Sequence, residues 1–491
     1  MNQFKILAGV LLVTTVVSCK KFEGFQQNPN NPTTTDPSLL LSGLEQTAFK
    51  TVDPGASLAS RQLVYTQSAD NDQYYGWQRN DMSYSAISQA VKMDQEAARV
   101  GKNNYRYLSK FFKAYFVIAM TETFGDIPYS QMMQSMTGNF DSAATRPVYD
   151  KQADIYLGVL NELKIASDSL SAAEPAMNGD LIYSGKVDNW KKLINSFTLR
   201  VLMSLSKKES NTTLNIKQRF NDIVSNPAKY PLITANNENG QLPFYNITGS
   251  QYSYYNNNGM KTDYYLDSTF VDILQDLKDP RLFVFGQPAT AAALPANDFN
   301  AYDGLSGSAA LAYNTGKKGQ GKASQINKRF AYEPINEPGI LMGYAEVQFL
   351  LAEAVVRGWI SGNASDYYKK GIEASLNFSN FNTTYSSGDI QTYLNQPAIA
   401  LQAGTEIKQI ITQKYISMFM NTGWQPFYEQ RRTGFPTFET AGAGILNGGK
   451  IPKRWMYPTK EYDNNRVNVE NAVKNQFPEG DNINGTMWLL Q

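Results

Sequence analysis

YAEVQFLLAEAVVRGWISGNASDYYKKGIEASLNF, residues 344–378, is the stretch on which the fold turns. Tyr344 to Arg357 is the clearest helix of the chain, a run of strong helix formers without Gly or Pro, and Gly358 closes it. A short turn containing Gly362 leads into a second helix over Ser365 to Phe378. Together they make a helix–turn–helix unit of tetratricopeptide length, which buries its apolar faces by stacking on neighbouring pairs.

Helical patterning recurs on both sides of this unit. Asp36 is placed to cap a helix that begins with Pro37 and carries Leu40, Leu44 and Ala48 on one face. Ser85–Val100 and Tyr105–Thr123 read as consecutive helices, the second with Leu108, Phe111, Tyr115, Ile118 and Ala119 on one side. Gly125, Asp126 and Pro128 end it. Tyr149–Leu170, Trp190–Leu205 and Glu406–Met420 follow the same pattern, and strand signals are short and weak. The expected fold is mainly all-α, a scaffold of tetratricopeptide-like helix pairs. Long irregular stretches at roughly 66–83, 230–265, 286–340 and 421–491 would cap it with a loop-rich, ligand-binding face.

Composition removes much chemistry. The chain has no histidine and one cysteine, so Ser-His-Asp, Cys-His and His-zinc sites are excluded. Lys and Arg total 45 against 44 Asp and Glu with no basic block, so nucleic acid is not an expected partner. No metal, no cofactor and no catalytic residue is indicated. Thirty tyrosines give many rings with a flat apolar face and a polar tip, which suits sugars and peptides.

Two loops concentrate that mixture. In 70–79, DNDQYYGWQR, the candidate ligand contacts are Asn71, Asp72, Tyr74, Tyr75, Trp77 and Arg79. The same residues would equally serve a loop pinned to the body by its own aromatics. In 252–258, YSYYNNN, Tyr254 and Tyr255 are the candidates, with an Asn-rich turn as the other reading. Trp424, Tyr428, Arg431 and Arg432 read as scaffold stacking. Gly316 to Lys322, GKKGQGK, lacks the hydroxyl residue and the preceding strand of a phosphate-binding loop and reads as a basic surface loop. Asp126, Asp188, Glu353 and Glu429 show no pairing that spacing can establish, so a carboxylate-dependent hydrolase has no direct support.

The N-terminus reads as a targeting segment. Lys5 precedes an apolar run from Ile6 to Val17, shorter than the roughly 20 residues a membrane span needs. The run ends in Val16-Val17-Ser18-Cys19, a lipobox whose cysteine would be acylated. The expected organisation is a signal peptide over 1–18, the lipidated Cys19 and a polar tether over 19–37, and one folded body over 38–491. The membrane is then met through a lipid anchor only.

Taken in order, several segments resemble the SusD/RagB-like nutrient-binding outer-membrane lipoproteins of Bacteroidetes. They are the lipobox with NPNNPT, then TETFGDIPY (121–129), PVYD (147–150) and WKKLINS (190–196) with Arg200. YAEVQFLLAEAVVRGWISG (344–362) and GWQPFYEQRRTGFP (423–436) complete the series. The resemblance implies a single α-helical domain on the outer face of the outer membrane beside a SusC-like TonB-dependent transporter. There it would deliver oligosaccharide, or in some members peptide, without catalysis. The family's ligand residues vary between members, so none transfers here.

Overall fold

The computed structural model describes residues 34–137, 141–380 and 385–491. The expected signal peptide and the lipidation at Cys19 lie outside the described residues. The first helix, α1 (Pro37–Ala48), starts where expected: the Asp36 carboxylate accepts the Ser38 amide at 2.9 Å and Pro37 needs no amide partner. A short helix, α2 (Pro54–Ala59), is capped in the same way by Asp53.

The helical scaffold is built from antiparallel neighbours. α3 (Ser85–Val100) ends at Gly101, whose φ of 70° lets the chain reverse at once into α4 (Asn103–Phe124). α4 packs on α5 (Gln152–Ser169), α5 on α6 (Val187–Ser204), and α6 on α7 (Ile216–Ser225). Between them Trp190 is fully buried, edge-on to Phe111, Phe112 and Tyr183, with its indole N–H on Asp180 at 2.8 Å. An indole buried with its N–H satisfied keeps the full hydrophobic gain of its area, about 2–3 kcal/mol or more.

Two two-stranded antiparallel ladders link the loops: β1 (Leu63–Tyr65) pairs with β3 (Tyr264–Leu266), and β2 (Gly240–Leu242) with β4 (Gly339–Met342). Between β3 and β4 stand α8 (Ser268–Asp276) and α9 (Leu311–Gly319). The repeat unit read first from sequence is α10 (Tyr344–Val356) followed by α11 (Ala364–Ser379), packed face to face. α12 (Ser387–Leu394) follows, and α13 (Glu406–Ser417) lies against both α10 and α11. α14 (Gln425–Thr433), α15 (Thr459–Asn464) and α16 (Arg466–Gln476) complete the described helices of the C-terminal region.

One buried charge network ties these layers together. Arg200 of α6 grips Glu346 of α10 through two hydrogen bonds, at 2.8 and 2.5 Å. Lys414 of α13 stands 3.5 Å from Glu346 and 3.3 Å from Glu429 of α14. Arg432 then binds Glu429 at 2.6 Å and Glu353 at 2.6 and 2.8 Å. Glu429 is held down at about 2, its burial outweighed by Arg432 and Lys414, and Glu353 is lowered by Arg432 in the same way. A continuous hydrophobic cluster running from Leu41 to Leu490 surrounds the network.

Two expectations need correction. The stretches 286–340 and 421–491 are not wholly irregular, since they contain α9 and α14 to α16. The lysine-rich GKKGQGK begins inside α9 rather than forming a loop. Lys317 binds Asp303 and the Gly304 carbonyl, each at 2.8 Å, and Lys318 binds Asp263 at 3.0 Å. Lysines in the last turn complement the helix dipole, and carboxylates already hold these two.

Candidate functional site

The β1–β3 ladder creates the site by register. It sets Tyr65 directly opposite Tyr264, and their rings meet at 5.0 Å between centroids with planes 39° apart. Tyr254 joins them from the 252–258 loop. Burial first, and then the Asp53 carboxylate, push its hydroxyl up to about 12. Burial raises the Tyr264 hydroxyl too, and the neighbours that add to the effect are Tyr65, Tyr254, Asp70 and Asp263. Three half-buried tyrosines from three separate segments therefore lie near the Asp53 and Asp70 carboxylates.

The polar members are positioned by local turns. Asp53 faces the surface from its capping position, where it accepts the amides of Gly55 at 2.9 Å and Ala56 at 3.3 Å. Asp70 accepts the amides of Asp72 at 2.8 Å and Gln73 at 3.0 Å, the side-chain turn that Asp favours. Asn71, between them, is exposed. Asp72 is partly buried, and that burial, with Asp70 and Asp53 beside it, lifts its carboxyl to about 7. On the opposite face of the ladder Lys318 binds Thr66 and Asp263, each at 3.0 Å, over the Tyr265 ring. Leu446, 64% exposed, has its amide on the Tyr74 carbonyl at 2.8 Å and its side chain beside Gly76.

The 70–79 loop divides in two. Asp72 stays beside Asp53 and Asp70 and Asn71 is exposed, but Tyr74, Tyr75 and Trp77 point inward and are 2%, 0% and 2% exposed. The expectation that these three rings meet ligand is corrected for this reason: the body consumes them. The Tyr75 hydroxyl donates to the Ala59 carbonyl at 2.9 Å, and its ring carries the fully buried Arg61 guanidinium at 4.3 Å. Arg61 in turn donates to the Gln73 carbonyl at 2.6 Å and the Glu439 carbonyl at 3.1 Å. Trp77 is enclosed by Trp424, Phe427 and Trp455. Arg79 turns to the C-terminal region, bound to the Tyr457 carbonyl at 2.5 Å and Asp481 at 2.7 Å over the Tyr462 ring.

Of the second loop, Tyr254 joins the surface, while Tyr255 is half-buried with its amide closing a turn on Tyr252. Tyr65 and Asp53 are the members that sequence reasoning passed over, while Asp70 and Tyr264 lie in or just after the two aromatic–polar loops without being among the chosen contacts. Tyr65 sits in the apolar run QLVYT and resembles core, so only strand pairing reveals it. Among the acidic candidates, Asp126 caps α5 by accepting the Gln152 amide at 2.8 Å, and Glu353 and Glu429 are consumed by Arg432.

The fold is thus that of a mostly helical, tetratricopeptide-like protein, with the tyrosine surface contributed by its loops and short strands. The SusD-like family described as starch-binding and associating with the outer membrane matches residues 29–458, and the chain belongs to this family. A SusD homologue from Bacteroides fragilis is 39% identical, covering 93% of this chain and 100% of its own, with a TM-score of 0.84. An outer-membrane protein from Bacteroides vulgatus, linked to nutrient binding, is 35% identical over 93% of this chain and 100% of its own, with a TM-score of 0.85. A chitin-binding SusD homologue from Flavobacterium johnsoniae shares the fold at 20% identity, with coverage of 93% and 98% and a TM-score of 0.72. No curated protein matches the chain. Among the described residues, no helix is long and apolar enough to cross a membrane.

Proposed function

We propose that this protein is a non-catalytic outer-membrane lipoprotein that captures oligosaccharide on its loop surface and passes it to a SusC-like TonB-dependent transporter. The observation that supports the reading is the convergence of Tyr65, Tyr254 and Tyr264 with Asp53, Asp70 and Asp72. A sugar offers C–H faces to aromatic rings and hydroxyls to carboxylates and amides, and this surface supplies both kinds of partner. Each ring contributes about 0.5–1.5 kcal/mol on the scale of aromatic pairs, so three give modest affinity. Modest affinity suits a protein that must release its cargo. The family's description as starch-binding and the chitin-binding relative lend weight to a glycan ligand. The lipid anchor rests on the Cys19 lipobox, and the exposed orientation and the transporter partner rest on the family resemblance.

Calorimetric titration of the protein with starch, chitin and peptide oligomers, followed by product analysis, tests this reading. Saturable binding of a glycan without turnover supports it. Binding of peptides alone moves the cargo to peptide, and turnover makes the protein an enzyme. Co-purification from the outer membrane with a TonB-dependent transporter tests the partner.

A further inference from the structure

A cavity of about 240 Å³ opens where α4, α6 and the start of α14 meet. Its walls include the rings of Tyr115, Phe197, Trp424 and Tyr428, and Glu122 lines its interior. Glu122 is 6% exposed, and no ion pair or hydrogen bond among the described residues engages its carboxylate. Its carboxylate lines the open cavity, where a group that enters can reach it.

We propose that this cavity is a second ligand site that takes a protonated amine, with Glu122 as the counter-charge and the four rings as its walls. The chemistry follows from what lines it. An ammonium group gains an ion pair from the carboxylate and attraction from the electron-rich faces of Trp and Tyr, both strengthened away from water. A neutral sugar hydroxyl would gain only the hydrogen bond. The nearest cations do not fill this role: Arg200 is committed to Glu346, and Arg431 donates to the Glu122 and Lys453 carbonyls while lying over the Tyr428 ring. Lys50 lines the mouth and is exposed. The volume admits one small group rather than a polymer, and Asp53 of the tyrosine surface lies at the cavity's edge, so the two sites adjoin.

The groups facing Glu122 fix the sign of a pH test. Burial lifts its carboxyl to about 7 against the pull of Arg431 and Arg200, with Glu429 adding to the rise. Tyr156 of α5 and Tyr115 and Tyr428 stand near it as neutral phenols, and Asp53 and Lys50 sit at the cavity's edge. A cation selects the ionised carboxylate, so the affinity for an alkylammonium, which keeps its proton throughout, rises from pH 6 to pH 8.

The test is calorimetric titration of the full chain in detergent with n-butylamine, with glucosamine and with glucose as the neutral control. The two amines separate a simple alkylammonium from an amino sugar, and binding of either with glucose silent is the expected result. Glu122→Gln should weaken amine binding about tenfold or more, equivalent to 1.4 kcal/mol or more. Ala119→Phe, which fills the cavity from the exposed side of α4, should block it while keeping the carboxylate, so a folding failure of one variant leaves the other decisive. Absence of amine binding overturns the proposal. So does glucose binding as tightly as the amines, or an affinity that Glu122→Gln leaves unchanged.

Discussion

Trp77 lies flat on Trp455, with ring centroids 3.7 Å apart and planes 9° from parallel, and Trp424 stands edge-on to both. This joint fastens the 70–79 loop to the C-terminal region. It also explains how one loop does two things: its aromatic end anchors, and its Asp70–Asp72 end is presented at the tyrosine surface.

Trp77→Ala should therefore lower stability by about 3–5 kcal/mol, the range for emptying a large aromatic position. Urea unfolding measures this. The folded variant should bind oligosaccharide as the parent does, because the indole is enclosed. Lost binding at unchanged stability would show that Trp77 reaches the ligand after all.

Tyr254→Ala should do the reverse. Its ring is half-buried at the surface beside Asp53, so removal should weaken oligosaccharide binding by about 0.5–1.5 kcal/mol, roughly two- to twelvefold. The melting temperature should hardly move. Titration calorimetry and a thermal melt on the same sample decide it.

Arg432→Met should be among the most damaging single changes. Arg432 bridges Glu353 and Glu429, and removing it leaves Glu353 to Arg357 and Glu429 to Lys414, one cation fewer for each buried carboxylate. Breaking a buried pair from one side costs about 3–5 kcal/mol. Adding Glu353→Gln to that variant should recover part of the loss, which a double-mutant cycle in urea would reveal.

Glu45 supplies a pH prediction. Its Oε2 accepts the Leu181 amide at 2.7 Å, while burial and the nearby Asp180 raise the carboxyl to about 10. An acid whose folded value is raised binds more protons folded than unfolded. Its stabilising contribution is thus complete below the unfolded value near 4.5 and is lost as pH rises toward 10. Glu45→Gln keeps the shape and is neutral at every pH. The variant should match the parent near pH 4 and become progressively more stable than it from pH 5 to pH 9, read from urea midpoints.

The legibility of the sequence was uneven, for physical reasons. α3 runs from Ser85 to Val100 as its periodicity predicts, and α1 starts at the Asp36-Pro37 signal, because both are written in residues adjacent on the chain. α9 escaped notice because Gly316 and Gly319 weaken the local helical signal, and the lysines that end it are held by Asp303 and Asp263 from other segments. The site shows the same divide. Loop composition proposed Asn71, Asp72 and Tyr254 together with Tyr74, Tyr75 and Trp77, but it could not tell a ring facing solvent from one facing inward.

What the sequence determined alone was the helical class, the repeat-like pairing, the exclusion of histidine and thiol chemistry, and the resemblance to SusD-like proteins. Each depends on residue type or on neighbours within a few turns. Which tyrosines form the surface, and which rings the core absorbs, was decided only by tertiary structure. Tyr65 meets Tyr264 through strand register, and Trp77 meets Trp455 across most of the chain. An aromatic side chain has the same composition in either place, and only the packing around it sets which face remains free.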